Sequence, residues 1–145
     1  MSTSNRLRVW VLALSSVTIM SAATPAFAAT LENAYDAVPT VQTGNGITFI
    51  TGGIGDEERV AMENISGEYN LHITNLNHEG AFTDNMNIAI YDIKATKLAE
   101  FNAGPMVYAK LPAGKYVVAA TNENGEVRRK NIRVLRTTTN VNLVW

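Results

Sequence analysis

The chain has 145 residues, no cysteine, two histidines, and twelve basic against thirteen acidic residues. That composition excludes a disulfide scaffold and a cysteine nucleophile, and it does not suit a nucleic-acid binder, which needs a net basic face. The length is that of one domain, large enough to bury a core of its own.

The first segment predicts export. Arg6 and Arg8 form a positive n-region, Val9–Met20 an apolar h-region, and Ala26-Phe27-Ala28 an A-x-A cleavage signal. This is the pattern of a secretory signal peptide over residues 1–28, shorter than the roughly 20 apolar residues of a membrane span. Leu7 separates the two arginines, so the general secretory route is expected rather than the twin-arginine one. Cleavage before Ala29 leaves about 117 residues with ten basic groups against thirteen acids, a net charge of −3. The expected product is exported, periplasmic or extracellular, and does not span a membrane. Without cysteine it carries neither a disulfide nor an N-terminal lipid.

Residues 29–45 hold no sustained period and contain Pro39 and Gly44-Asn45-Gly46. They read as a flexible leader, or as a first short edge segment, ahead of a domain at 46–145. Ile47–Thr51 is β-branched and aromatic, a strand. It runs into Gly52-Gly53-Ile54-Gly55, where three glycines in four positions signal positive φ or close backbone approach. Asp56-Glu57-Glu58-Arg59 then opens a short helix to Ile65. Asp56 suits the N-cap, the acids suit the positive end of the helix dipole, and Gly67 ends it.

Tyr69–Leu76 and Asn85–Asp92 alternate with period two, with Tyr69, Leu71 and Ile73, then Met86, Ile88 and Ile90, facing a core. Leu98–Asn102 is a weaker, edge-like strand. Met106–Leu111 and Lys115–Asn122 read as the two arms of one hairpin around Leu111-Pro112-Ala113-Gly114. Asn124-Gly125 turns the chain into Glu126–Leu135. Thr138–Trp145 closes it with Val141, Leu143 and Trp145 on one side. The expected fold is mainly β: an antiparallel, seven- or eight-stranded Ig-like sandwich with one short helix, each sheet keeping one wet face.

Leu111-Pro112-Ala113-Gly114-Lys115-Tyr116-Val117-Val118 fits L-P-x-G-x-Y-x-V. It resembles the turn-and-strand signature of carboxypeptidase regulatory-like domains and their PEGA-type and transthyretin-like relatives. The order of Ile90-Tyr91-Asp92, a weak strand over Leu98–Ala103 and then Leu111–Tyr116 is similar too, and the likeness spans about half of the mature chain. It implies structural roles for Leu111, Pro112, Gly114 and Tyr116. Pro and Gly fix a tight turn, Leu111 plugs the core, and the Tyr116 ring packs inside with its hydroxyl at the wet rim. It implies little about function, since such sandwiches host many roles. The stretch Gly52–Arg59 with Met62 is similar to a segment of small exported bacterial proteins that carry this domain alone.

The catalytic signatures are missing. Ser66 is the one serine beyond residue 28, and no G-x-S-x-G elbow surrounds it. His72 is expected on the polar face of its strand and His78 in a turn, six residues apart with no further metal-ligand motif. No H-x-x-E zinc motif occurs. The chain ends Asn142-Leu143-Val144-Trp145 rather than in the Tyr-Arg-Gly-Ser tail of transthyretin-like hydrolases of purine breakdown, so that activity is not implied. Asp84, Asp92, Glu100 and Glu123 sit near turns, and spacing alone pairs none of them as a glycosidase would require. The glycine loop lacks the Lys-Ser/Thr of a phosphate-binding P-loop. The strands are shorter than the roughly 9–11 residues of a membrane barrel.

The expectation is therefore no catalytic residue, no cofactor and no metal. The predicted role is a non-catalytic binding or interaction module of the bacterial cell envelope, its partner an envelope protein or a glycan. The alternative is a small exported enzyme or ligand carrier that uses Gly52, Gly53, Gly55, Asp56, Glu57, Glu58 and Arg59 as a binding loop. Arg128, Arg129, Lys130, Arg133 and Arg136 make one basic strand. Alternation splits them between two faces, as in an edge strand guarded against aggregation; the functional reading is a dock for acidic glycan or lipid headgroups.

Overall fold

A computed structural model describes residues 41–145. The expected signal segment, its expected cleavage site and most of the expected leader lie outside the described residues. Among the described residues, nine strands form two sheets. The first orders β1 (Gln42–Gly44), β2 (Ile47–Gly52), β6 (Met106–Lys110), β3 (Leu71–Leu76) and β9 (Thr139–Val144); the second orders β5 (Lys97–Ala103), β4 (Met86–Asp92), β7 (Gly114–Thr121) and β8 (Val127–Val134). One helix, α1 (Asp56–Ile65), is followed by a single 3-10 turn at Ser66–Glu68. The mainly β sandwich with one short helix is thus present. The ninth strand is β1, which pairs with β2 around Asn45-Gly46, so the end of the leader forms the short edge segment.

The inward residues come from both sheets. Ile47, Phe49, Leu71, Ile73, Val107, Ala109, Val141 and Leu143 meet Met86, Ile88, Ile90, Phe101, Val118, Ala120, Ile132 and Val134 in one cluster. Phe49 and Phe101 stack across the layers with centroids 3.9 Å apart. Alternation dictates this, because every second side chain of a strand points the same way.

Three expectations need correction. First, Met106–Lys110 and Gly114–Thr121 are not the arms of a hairpin. β6 pairs with β2 and β3, while β7 pairs with β4 and β8. Leu111-Pro112-Ala113 instead carries the chain from one sheet to the other. The physical reason is that both strands present an apolar face, and stacking those faces across the core buries them where lying side by side would not. Second, the first sheet is mixed, because β9 runs parallel to β3, from Leu71 opposite Thr139 to Leu76 opposite Val144. Third, the first sheet has no fully wet face. Helix α1 covers its outer side, where Ile50, Met62, Tyr69, Met106 and Tyr108 form a second buried cluster joined by Ile65, so Tyr69, which precedes the strand that begins at Leu71, packs under the helix rather than with Leu71 and Ile73. This explains why β6 is buried on both faces, from Met106 to Ala109.

Candidate functional site

The sandwich has two poles. One gathers Gly52–Gly55, Asn77–Asn85, Gly104-Pro105 and Asn122–Glu126. The other gathers Ser66–Asn70, the Asp92–Thr96 turn, Leu111–Ala113 and Leu135–Thr138. The predicted binding loop lies at the first pole and the L-P-x-G-x-Y motif at the second.

In the Gly52–Arg59 loop, most of the charge is spent on the loop itself. Glu58 Oε2 accepts from Gly53 N at 2.9 Å and from Ile54 N at 3.0 Å. Arg59 Nη1 donates to Gly53 O at 3.2 Å and Ile54 O at 3.3 Å, and its guanidinium also pairs with Asp56. Helix α1 begins from Gly55 with no side-chain cap, so Asp56 is the first helical residue rather than the N-cap. Glu58 reaches back instead, using the free amides that precede the helix. Gly53 has φ +89, and a Cβ there would sit 2.8 Å from Met106 Sδ. Gly52 lies under Gly104, whose own Cβ would meet Gly52 O at 2.9 Å. Positive φ and the Met106 side chain are the reason for glycine at 53, and close backbone approach is the reason at 104. Gly55 and Glu57 are exposed.

The Arg59 guanidinium lies over the Phe82 ring, 5.3 Å from its centroid. Phe82 is 46% exposed and Ile54 67% exposed, large apolar side chains that Arg59 links on one surface. Beside them runs a shallow groove of about 330 Å³ lined by Ile54, Asp84, Asn85, Asn102, Ala103 and Gly104. Asn85 donates to Glu123 at 2.6 Å across this pole. Sequence reasoning passed over Phe82; the available signal was an aromatic residue inside the polar run between Gly80 and Asn85.

His72 does not join this pole's charges. Its Nε2 lies 3.0 Å from Ser66 O, and its ring stacks on Tyr108 with centroids 4.1 Å apart. It is therefore half-buried beside α1 rather than solvated, while His78 is exposed. Burial, followed by the charge of Glu63, raises the Tyr108 hydroxyl pKa; burial and then Glu68 raise that of Tyr69. Among the described residues, no three His, Asp or Glu side chains converge as metal ligands do. No helix among them is long and apolar enough to cross a membrane.

At the second pole the Tyr116 ring packs against the core and its hydroxyl donates to Pro112 O at 2.8 Å. A tyrosine bonded to the backbone a few residues upstream is the corner device of immunoglobulin-type sandwiches. Burial, with Asp92 adding to it, raises the Tyr116 pKa. Leu111 is buried and Gly114 lies against the Tyr116 ring. Asn70 completes the corner. Its Nδ2 donates to Leu111 O at 2.8 Å and Leu135 O at 3.0 Å, and its Oδ1 accepts from Leu111 N at 3.0 Å. One side chain thus ties together the two sheet-to-sheet crossovers of this pole, β6 to β7 and β8 to β9. Nothing about an asparagine at the mouth of a strand marked this role in the sequence.

The basic strand is β8, an edge of the second sheet. Arg128 lies over the Trp145 ring at 5.5 Å and Lys130 reaches Asn142 O at 3.4 Å, both toward β9. Arg129 and Arg133 sit on the other face, opposite Ala119 and Lys115. The charges therefore divide between two faces, as alternation predicts.

No protein-family model matches the sequence, and no curated protein matches it. Among solved structures, the chain has a likeness to BcpA, the major pilin subunit of Bacillus cereus, at 10% identity and a TM-score of 0.35. The likeness covers 52% of this chain and 28% of the pilin.

Proposed function

We propose that the protein is a non-catalytic binding or interaction module of the bacterial cell envelope, built on a carboxypeptidase regulatory-like, transthyretin-like sandwich. The observation that carries this reading is the division of labour in Gly52–Arg59. Glu58 and Arg59 hold their own loop's backbone, and the loop presents Ile54 to solvent between that backbone and the exposed Asp56 and Glu57, with the Phe82 ring under Arg59. Paired exposed apolar side chains rimmed by polar groups suit a protein partner. The exported-enzyme alternative needs Glu57, Glu58, Arg59 and His72 around one pocket. Glu58 and Arg59 bond to Gly53 and Ile54 instead, and His72 is engaged by Ser66 and Tyr108. A glycan partner is the second reading, favoured by the carboxylate and amides of Asp84, Asn85 and Asn102 in the adjoining groove.

The experiment is affinity capture from envelope extract with the wild-type protein and an Ile54→Asp/Phe82→Asp variant. The expected result is a partner held by wild type and lost by the folded variant. Equal capture by both removes the patch from the reading. Hydrolysis by purified protein that a single change at Glu58 or His72 abolishes removes the non-catalytic assignment.

A further inference from the structure

Three buried side-chain polar atoms without a partner stand out among the described residues: Asn75 Oδ1, Thr83 Oγ1 and Trp145 Nε1. The backbones of these residues are neighbours at the first pole, on either side of the end of β3. Asn75 is 0% exposed and inward-facing at the end of β3, with its Nδ2 spent on Gly104 O at 3.1 Å. Thr83 N donates to Asn75 O at 3.0 Å, and Leu76 bridges Phe82 antiparallel. Thr83 is therefore directly opposite Asn75, and opposite residues of an antiparallel pair share a face. Trp145 N donates to Leu76 O at 2.9 Å, and its ring packs against the main core, in line with inward Val141 and Leu143. All three side chains thus face the interior at the first pole.

Their chemistry is complementary to a single small molecule. The indole N–H only donates, Asn75 Oδ1 only accepts, and the Thr83 hydroxyl does either. A direct Thr83–Asn75 bond leaves the indole N–H unpartnered, at the cost of a buried donor. We propose that this pole holds one internal water molecule as a fixed part of the fold, bound by Trp145 Nε1, Asn75 Oδ1 and Thr83 Oγ1. The water accepts from the indole, donates to the amide oxygen and exchanges its third bond with the hydroxyl. Three bonds is the usual complement of a buried water. The site joins the last residue of the chain to the segment that carries Phe82 and, through Asn75 Nδ2, to Gly104. It stands independently of the partner-binding reading.

A high-resolution crystal structure of the protein reads it directly. The expected result is one density peak within about 2.7–3.2 Å of all three atoms. Oxygen-17 relaxation dispersion of the protein in solution gives a second measurement. The dispersion step should fall by one long-lived water in Asn75→Leu, and Trp145→Phe should shorten that water's residence time. A crystal in which Thr83 bonds Asn75 directly with no peak between them overturns the proposal. So does a dispersion step unchanged in Asn75→Leu. If Asn75→Leu does not fold, the wild-type density and an unaltered residence time in Trp145→Phe decide in its place.

Discussion

Replacing Asn70 by alanine tests the idea that one side chain locks the two crossovers at the second pole. The substitution removes three hydrogen bonds, to Leu111 O, Leu135 O and Leu111 N. A typical intramolecular hydrogen bond contributes about 0.5–1.5 kcal/mol net. The bond to Leu135 is exposed and counts at the low end. The Leu111 amide and carbonyl are part-buried and lose a partner that water replaces only in part. The expected loss is therefore about 2–3 kcal/mol, a large fraction of a small domain's stability. For a domain near 100 residues that is a fall in Tm of roughly 10–20 °C. Urea unfolding followed by circular dichroism is the assay. The midpoint should drop with the slope unchanged, because the unfolded surface is the same. Asn70→Asp keeps one acceptor but turns a carboxylate toward two carbonyl oxygens, and should be worse than alanine. A loss below about 0.5 kcal/mol in Asn70→Ala would refute the clamp, since that is the bottom of the range for even one bond.

Three further predictions concern the same scaffold. Tyr116→Phe should cost about 1 kcal/mol for the bond to Pro112 O, and Tyr116→Ala about 2–3 kcal/mol, less than the 3–5 of a fully enclosed aromatic because the ring is half-buried. Equal urea midpoints for wild type and Tyr116→Ala would contradict the corner. Gly104→Ala should destabilise by about 1–3 kcal/mol, since its Cβ meets backbone, Gly52 O at 2.9 Å, rather than a side chain that can move; a neutral midpoint would show that the strands can part freely there. The Asp92 pKa is lowered, first by the Thr96 amide and then, against some desolvation, by the Lys94 amide, the Thr96 hydroxyl and the Lys94 charge. A carboxyl depressed by folding adds stability that is present above its unfolded pKa near 3.8 and lost as pH falls through the lower folded value. Asp92→Asn should therefore flatten the acid limb of the stability profile below about pH 4; an unchanged limb would assign acid sensitivity to other groups.

Much of the fold was legible because it rests on local rules. Period-two alternation located Leu71–Leu76, Met86–Asp92, Val127–Val134 and Thr139–Val144, and the inward faces of Met86, Ile88 and Ile90 and of Val141 and Leu143 follow from it. Turn chemistry placed Asn124-Gly125 and the glycines of the β2–α1 loop. The L-P-x-G-x-Y motif announced Leu111 in the core and Tyr116 against it, and both are there.

Partner choice between strands was not legible. Nothing local to Met106–Lys110 and Gly114–Thr121 says that they belong to opposite sheets, because a three-residue connection serves a hairpin and a crossover equally. The parallel pairing of β9 with β3 joins residues nearly 70 positions apart in sequence, and it depends on which edge remains open once the other strands are placed. The same holds for the side chains. Glu58 and Arg59 look like a charged binding loop until the backbone they hold is seen, and Asn70 and Asn75 are ordinary asparagines until the crossovers and the pole close around them. The sequence by itself determined where most strands run and which way the alternating ones face, since that follows from neighbours one or two positions away, whereas Tyr69 and the doubly buried β6 needed the helix above them. Only the tertiary structure decided which polar groups are tied up and which large apolar side chains, Ile54 and Phe82 among them, stay exposed, because that depends on contacts between distant segments.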